Sequence, residues 1–205
     1  MTLAMKYLTD SDVKTLEQKA NEIRQSTIEM LIEAGSGHTA GPLGMADIFT
    51  LLYFEVMRHD PKDPDWEERD RLILSNGHIC PGLYATLAHA GYFPEEELLT
   101  LRTFGSRLQG HPHRTALPGI ETSSGPLGSG LSQAVGMALA ERMEALRVGD
   151  GMEEGTVIGP LIDAQGLEKV ERHVADACAK GAQIVTGGAR HGNGGLFYQP
   201  TLVTG

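Results

Sequence analysis

"DRLILSNGH", residues 70–78, sets three apolar residues between a charged pair and a turn. Leu72, Ile73 and Leu74 are a short continuous apolar run that suits a buried strand, and Ser75-Asn76-Gly77 is turn chemistry. Beyond it, Pro81 fits the first turn of a helix whose Leu83 and Leu87 share one face. The stretch predicts a strand–turn–helix unit with His78 at the turn. Open α/β sheets bind ligands beyond the carboxyl ends of their strands, so His78 stands where a ligand would sit.

Helical patterns lie on both sides of this unit. Val13, Leu16, Ala20, Ile23, Ile28, Leu31 and Ile32 recur at helical spacing between Thr9 and Glu33, with Asp10 or Ser11 as candidate N-cap and Gly35 as the stop. "SGHTAGPLG" (36–44) reads as a turn-rich loop, and residues 45–57 as a largely buried helix. The polar stretch 58–70 reads as a loop, and 93–104 as another short helix. Residues 105–130 form a long loop, and loops of that length inside a compact domain usually carry function. Residues 131–146 predict an amphipathic helix with Leu131, Val135, Leu139 and Met143 one turn apart. A charged amphipathic helix follows at 163–180, then strands at "QIVTGG" and "FYQPTLV". The expected fold class is α/β: an incomplete, mostly parallel sheet with flanking helices, followed by a small α/β extension. The expected domains are 1–147 and 148–205.

Composition narrows the function classes. The 205 residues carry 17 Lys and Arg against 27 Asp and Glu, a net charge of −10, and no basic stripe. Such a surface repels nucleic acid, which is not expected as a partner, and a phosphate-bearing ligand must be held locally by backbone amides, histidine or a metal. The start, "MTLAMKYLTDSDVK", has no long apolar targeting run, and no run of 18 apolar residues occurs, so a cytoplasmic protein without a membrane partner is expected. The two cysteines, Cys80 and Cys178, read as reduced, buried small hydrophobes.

Three histidines stand next to glycine at the ends of elements: His38, His78 and His111, with His113 beside the last. Histidine donates hydrogen bonds to phosphate oxygens and titrates near neutrality, so the set suits an anionic ligand. Zinc is the rival, but the intervals 38 to 78 and 78 to 111 provide no local ligand pair. Gly125-Pro126-Leu127-Gly128-Ser129-Gly130 runs straight into a helix, and exposed amides at a helix start attract diphosphate. Gln133 stands where a dinucleotide fingerprint requires its third glycine, and no Gly-Lys-Ser/Thr follows any glycine run.

Taken together, "SGHTAGPLGMADI", "DRLILSNGH", "GHP" and "TSSGPLGSGLSQAVGMALAE" resemble the amino-terminal half of transketolase over residues 15–143, and especially the small subunit of transketolases split into two chains. The resemblance implies thiamine diphosphate, with Mg²⁺ or Ca²⁺, and transfer of a two-carbon ketol unit between sugar phosphates. It implies that His78 contacts the diphosphate, that His38 and His111 line the channel to the reacting carbon and move protons, and that Gly125, Leu127 and Gly128 present backbone or an apolar face to the cofactor. The family's activating glutamate lies in a second domain, so a separate second-domain subunit is the implied partner, and a homodimer is a further option.

Gly149-Asp150-Gly151 has the letters of the family's metal motif, which would make Asp150 a metal ligand. The family places an apolar strand before the motif and an asparagine about thirty residues after it. Here residues 144–148 continue the helix, and position 180 is lysine. From about Glu144 to Gly205 the chain resembles a piece of an aldehyde dehydrogenase of the succinate-semialdehyde type, without nucleophile or nicotinamide-binding unit. Two alternatives follow: a non-catalytic chimera joined near residue 143, and a dehydrogenase fragment lacking its nucleophile.

Overall fold

The computed structural model describes residues 8–204. Met1–Tyr7 of the stretch read for targeting lie outside them. The chain divides into two compact units, residues 1–133 and 134–205.

The first unit is built on three helices. Helix α1 spans Asp10–Ala34. Thr9, in extended backbone, caps it through a reciprocal box: its hydroxyl accepts from the Asp12 amide, and the Asp12 carboxylate accepts from the Thr9 amide at 2.9 Å. The cap is thus one residue before the expected Asp10 and two before Ser11, because only Thr9 has an acidic residue at the third helical position. Gly35 closes the helix in the left-handed conformation, as expected. Ala20, Ile23, Thr27, Met30 and Leu31 form the buried stripe. Val13, Ile28 and Ile32 fall off that stripe and are exposed.

Helix α2 spans Ala40–Leu51 and continues as a π-helical turn over Leu52–Val56. The first "GPLG" is therefore helical rather than a loop. Pro42 occupies the first turn, where a missing N–H leaves no bond unmade. A 3-10 turn at Gly77–Ile79 leads into α3, Cys80–His89, with Pro81 in its first turn as expected. Helix α3 is buried from Cys80 to Ala88 and is the central post of this unit. It packs with Ile23, Met30, Phe49, Tyr53, Phe93, Leu98, Leu101 and Leu108 in one apolar core. Residues Glu95–Thr100 form a 3-10 helix.

Helix α4 spans Ser129–Glu144, and the division between units falls within it. Its expected apolar stripe is not buried: Leu131, Val135 and Leu139 are all exposed. In the second unit, α5 spans Ala164–Ala179, capped by the Asp163 carboxylate, which accepts from the Gly166 amide at 2.7 Å. Its Leu167 is buried. Strands β1 (Gln183–Thr186) and β2 (Leu202–Thr204) pair antiparallel, Ile184 opposite Val203.

That pair is the only sheet among the described residues; the parallel contact is one isolated bridge, Val148 to Ile158. The mostly parallel sheet expected around Leu72–Leu74 is thus absent among the described residues, and the architecture is helix-rich with a two-stranded sheet. A parallel strand needs a neighbour to complete its hydrogen bonds. Residues 144–148, where the next strand would begin, are the last turn of α4 and its exit.

Candidate functional site

The site is assembled from loops of the first unit. His38 lies exposed in the turn between α1 and α2, and His78 is half-buried in the 3-10 turn before α3. Their ring centroids are 5.0 Å apart at an interplanar angle of 60°. Two residues forty positions apart are therefore brought into one cluster by the packing of α2 on α3. His111 is exposed and makes no ring contact with this pair among the described residues. His113 bonds Thr115 through Nδ1 at 3.1 Å, a local turn contact.

The turn carrying His78 is pressed against the glycine-rich loop. A Cβ on Gly77 would lie 2.6 Å from the Ser124 carbonyl oxygen, and one on Gly130 would lie 2.8 Å from the Ser75 Cα. Both contacts admit glycine alone. The Gly130 amide donates to the Ser75 hydroxyl at 3.1 Å, tying the start of α4 to the residue that begins the His78 turn. Space is open beside Gly125 and Gly128, where an added Cβ would meet nothing within 4 Å, and Leu127 is 72% exposed. Gly128 takes φ +86, which turns the chain into α4.

The same loop holds polar atoms that lack partners. Thr122 Oγ1 and Ser124 Oγ on the loop, and Gln133 Oε1 in the start of α4, are buried with no hydrogen bond. A buried polar atom without a partner is costly, and two hydroxyls close together on this loop point to a polar group that completes them. A diphosphate ester fits this donor set: hydroxyls, histidine nitrogens and glycine-loop amides, with two contact points that exclude side chains.

The sequence did not single out the buried ion pair beneath the loop. Arg69 grips Glu121 through both guanidinium nitrogens, with side chains only 11% and 7% exposed. Arg71 stands 3.9 Å from the same carboxylate. The Glu121 bond raises the Arg69 pKa above its ordinary value. Asp70, between the two arginines, faces the other way and pairs with Arg58 at 2.9 Å, which holds its carboxyl below the usual range. The alternation Arg69-Asp70-Arg71, which sets two arginines on one side of an extended chain and the aspartate on the other, was the available signal.

Asp150 lies in the second unit. It is exposed, and its carboxylate accepts from the Met152 amide at 2.9 Å, which makes it the start of a turn. Among the described residues no group of three His, Cys, Asp or Glu side chains is arranged to hold a metal ion. Asn193 donates to the Val148 carbonyl at 3.1 Å, a bond that fastens the exit of α4. Of the cysteines, Cys80 is buried as expected, and burial pushes its pKa up to about 12. Cys178, expected to be buried, is exposed near the C-terminal end of α5.

Known proteins similar to this chain give its family. A family model described as transketolase, thiamine diphosphate binding domain, matches residues 15–156. The chain belongs to that transketolase family. The chloroplastic transketolase of Spinacia oleracea is 46% identical over 147 residues, covering 70% of this chain and 20% of that protein. A 6-deoxy-6-sulfo-D-fructose transketolase subunit of Clostridium sp. (strain MSTE9) is 45% identical over 149 residues, 69% of this chain and 54% of the relative. The solved transketolase from Leishmania mexicana superposes with a TM-score of 0.61 at 44% identity, over 63% of this chain and 20% of that one. The chain thus spans from a fifth to about half the length of these transketolases. A model of the aldehyde dehydrogenase family matches residues 129–205, so the two family matches overlap across α4 and the Gly149-Asp150-Gly151 turn. No helix among the described residues is long and apolar enough to cross a membrane.

Proposed function

We propose that the chain is a cofactor-binding component of a thiamine diphosphate-dependent transketolase in the cytoplasm. In this reading it works with a separate second-domain subunit to move a two-carbon ketol unit between sugar phosphates. The observation that supports this best is the His38–His78 pair facing a glycine-rich loop whose buried polar atoms lack partners. When bound, the cofactor supplies a nucleophilic carbon that accepts the ketol unit. His78 donates a hydrogen bond to a diphosphate oxygen. Gly125, Leu127 and Gly128 would present open backbone and an apolar side chain to the cofactor. His38 and His111 would hydrogen-bond substrate hydroxyls and shuttle their protons, since imidazole can both donate and accept. A relative named as a subunit is consistent with a two-chain enzyme, and a homodimer of this chain is a further assembly.

Titration calorimetry with thiamine diphosphate, with and without Mg²⁺, tests the reading. Binding that is lost in His78→Ala is expected, with no ketol transfer from xylulose 5-phosphate to ribose 5-phosphate by the chain alone. At a hundredfold excess over Kd, the cofactor would add about 2.7 kcal/mol of stability. No heat and no change in melting temperature would refute it.

One observation favours a second reading, a non-catalytic junction of two families. Helix α4 runs to Glu144, where the expected metal-site strand would begin, and Asp150 engages its own backbone. That reading predicts an unaltered melting temperature with cofactor and Mg²⁺. Neither Cys178 nor Cys80 supports the third, a working semialdehyde dehydrogenase: Cys80 is held as a thiol, and no dinucleotide fingerprint occurs.

A further inference from the structure

Arg102 joins two loops that the site depends on. Its Nη1 donates to the Ser36 hydroxyl at 3.1 Å, two residues before His38. Its guanidinium lies over Gly110, the residue before His111: a Cβ there would stand 2.8 Å from Nε and 2.9 Å from Nη2. Glycine at 110 is what admits the guanidinium. The backbone of Arg102 also takes φ +61, the only positive φ of a non-glycine residue among the described residues. Such a conformation is costly for a residue with a side chain and persists when the surroundings over-determine it. Its amide donates to the Leu108 carbonyl at 2.9 Å, closing the loop that leads to His111.

The charge has a second destination. Helix α1 has no basic residue in its last turn, and Ser36 donates in turn to the Ala34 carbonyl at the helix end. Arg102 therefore brings a cation, through Ser36, to the negative end of α1. No carboxylate pairs with it among the described residues. The guanidinium is engaged by the two loops instead.

We propose that Arg102 is a positioning residue that fixes the spacing between the His38 loop and the His111 loop. The proposal rests on reading those histidines as parts of one site, and the test separates the two. Hydrogen exchange followed by mass spectrometry on the full chain compares the parent with Arg102→Gly, Gly110→Ala and Ser36→Ala. Glycine relieves the left-handed backbone, so Arg102→Gly keeps or raises the melting temperature. Exchange at residues 36–39 and 110–113 nonetheless rises roughly fivefold to tenfold, the scale of losing a charged hydrogen bond in a local opening. Gly110→Ala, which evicts the guanidinium without touching the arginine, produces the same rise. Ser36→Ala combined with Arg102→Gly is less than additive. Unchanged exchange in both loops for Arg102→Gly, or for Gly110→Ala, overturns the proposal. In parallel, thiamine diphosphate binds Arg102→Gly more weakly than the parent. If the parent binds none, the cofactor reading fails and the exchange comparison still decides the role of Arg102.

Discussion

Removing Arg69 tests the electrostatic support beneath the glycine-rich loop. Both side chains of the Arg69–Glu121 pair are about nine-tenths buried, and Arg71, at 3.9 Å, is too distant to replace the bidentate grip. Arg69→Met keeps the volume and leaves the Glu121 carboxylate nearly desolvated with one distant cation. Breaking such a pair from one side costs about 3–5 kcal/mol, whereas replacing both partners with apolar residues is often neutral. The expected loss for Arg69→Met, or for Glu121→Leu, is therefore about 3 kcal/mol. The double variant Arg69→Met/Glu121→Leu should recover at least about 2 kcal/mol of the summed loss. At about 2–4 °C per kcal/mol for a chain of this size, each single variant melts about 6–12 °C lower. Urea unfolding of the four proteins, followed by circular dichroism, measures the cycle. Single variants within about 0.5 kcal/mol of the parent, or losses that simply add, would refute the claim that the pair is desolvated and coupled.

Three further outcomes are expected. Gly77→Ala places a methyl 2.6 Å from the Ser124 carbonyl, so it should lower the melting temperature and abolish cofactor-induced stabilisation, measured by thermal shift. In the native protein at pH 8, iodoacetamide should label one thiol, the exposed Cys178, because Cys80 is buried and its pKa is pushed up to about 12; intact mass reads the count, and rapid labelling of two would contradict the burial. Burial lowers the pKa of His89, whose Nε2 meets Ser26 Oγ at 2.9 Å, below its ordinary 6.5. The unfolded chain then binds the extra proton first, so this contribution to stability is present above pH 6.5 and is lost as the pH falls through the folded value. A plot of melting temperature against pH from 7.5 to 5 should flatten in His89→Gln.

Much of the fold was legible where local chemistry decides structure. Helix α1 ended at Gly35, α3 began around Pro81, and α5 began after Asp163, because caps, proline and apolar spacing act over a few residues. The loop reading of 36–44 failed at Ala40, since glycine and proline signal a turn only until a proline proves to sit in a first helical turn. Leu72–Leu74 kept its apolar run but found no ladder partner among the described residues, and strand formation depends on a neighbour that no local pattern supplies. The stripe Leu131, Val135 and Leu139 was correctly placed on one side of a helix, yet it is exposed, because periodicity names a face and not what covers it.

By itself, the sequence determined the kinship, the identity of the histidines and the glycine-rich loop, and the departure around Asp150. Those depend on residue type and order. The tertiary structure decided that His38 and His78 meet at 5.0 Å, that Glu121 is neutralised by Arg69, and that Arg102 spans Ser36 and Gly110. Each joins residues far apart in the chain, and only the close packing of α2, α3 and the long loop can bring them into range.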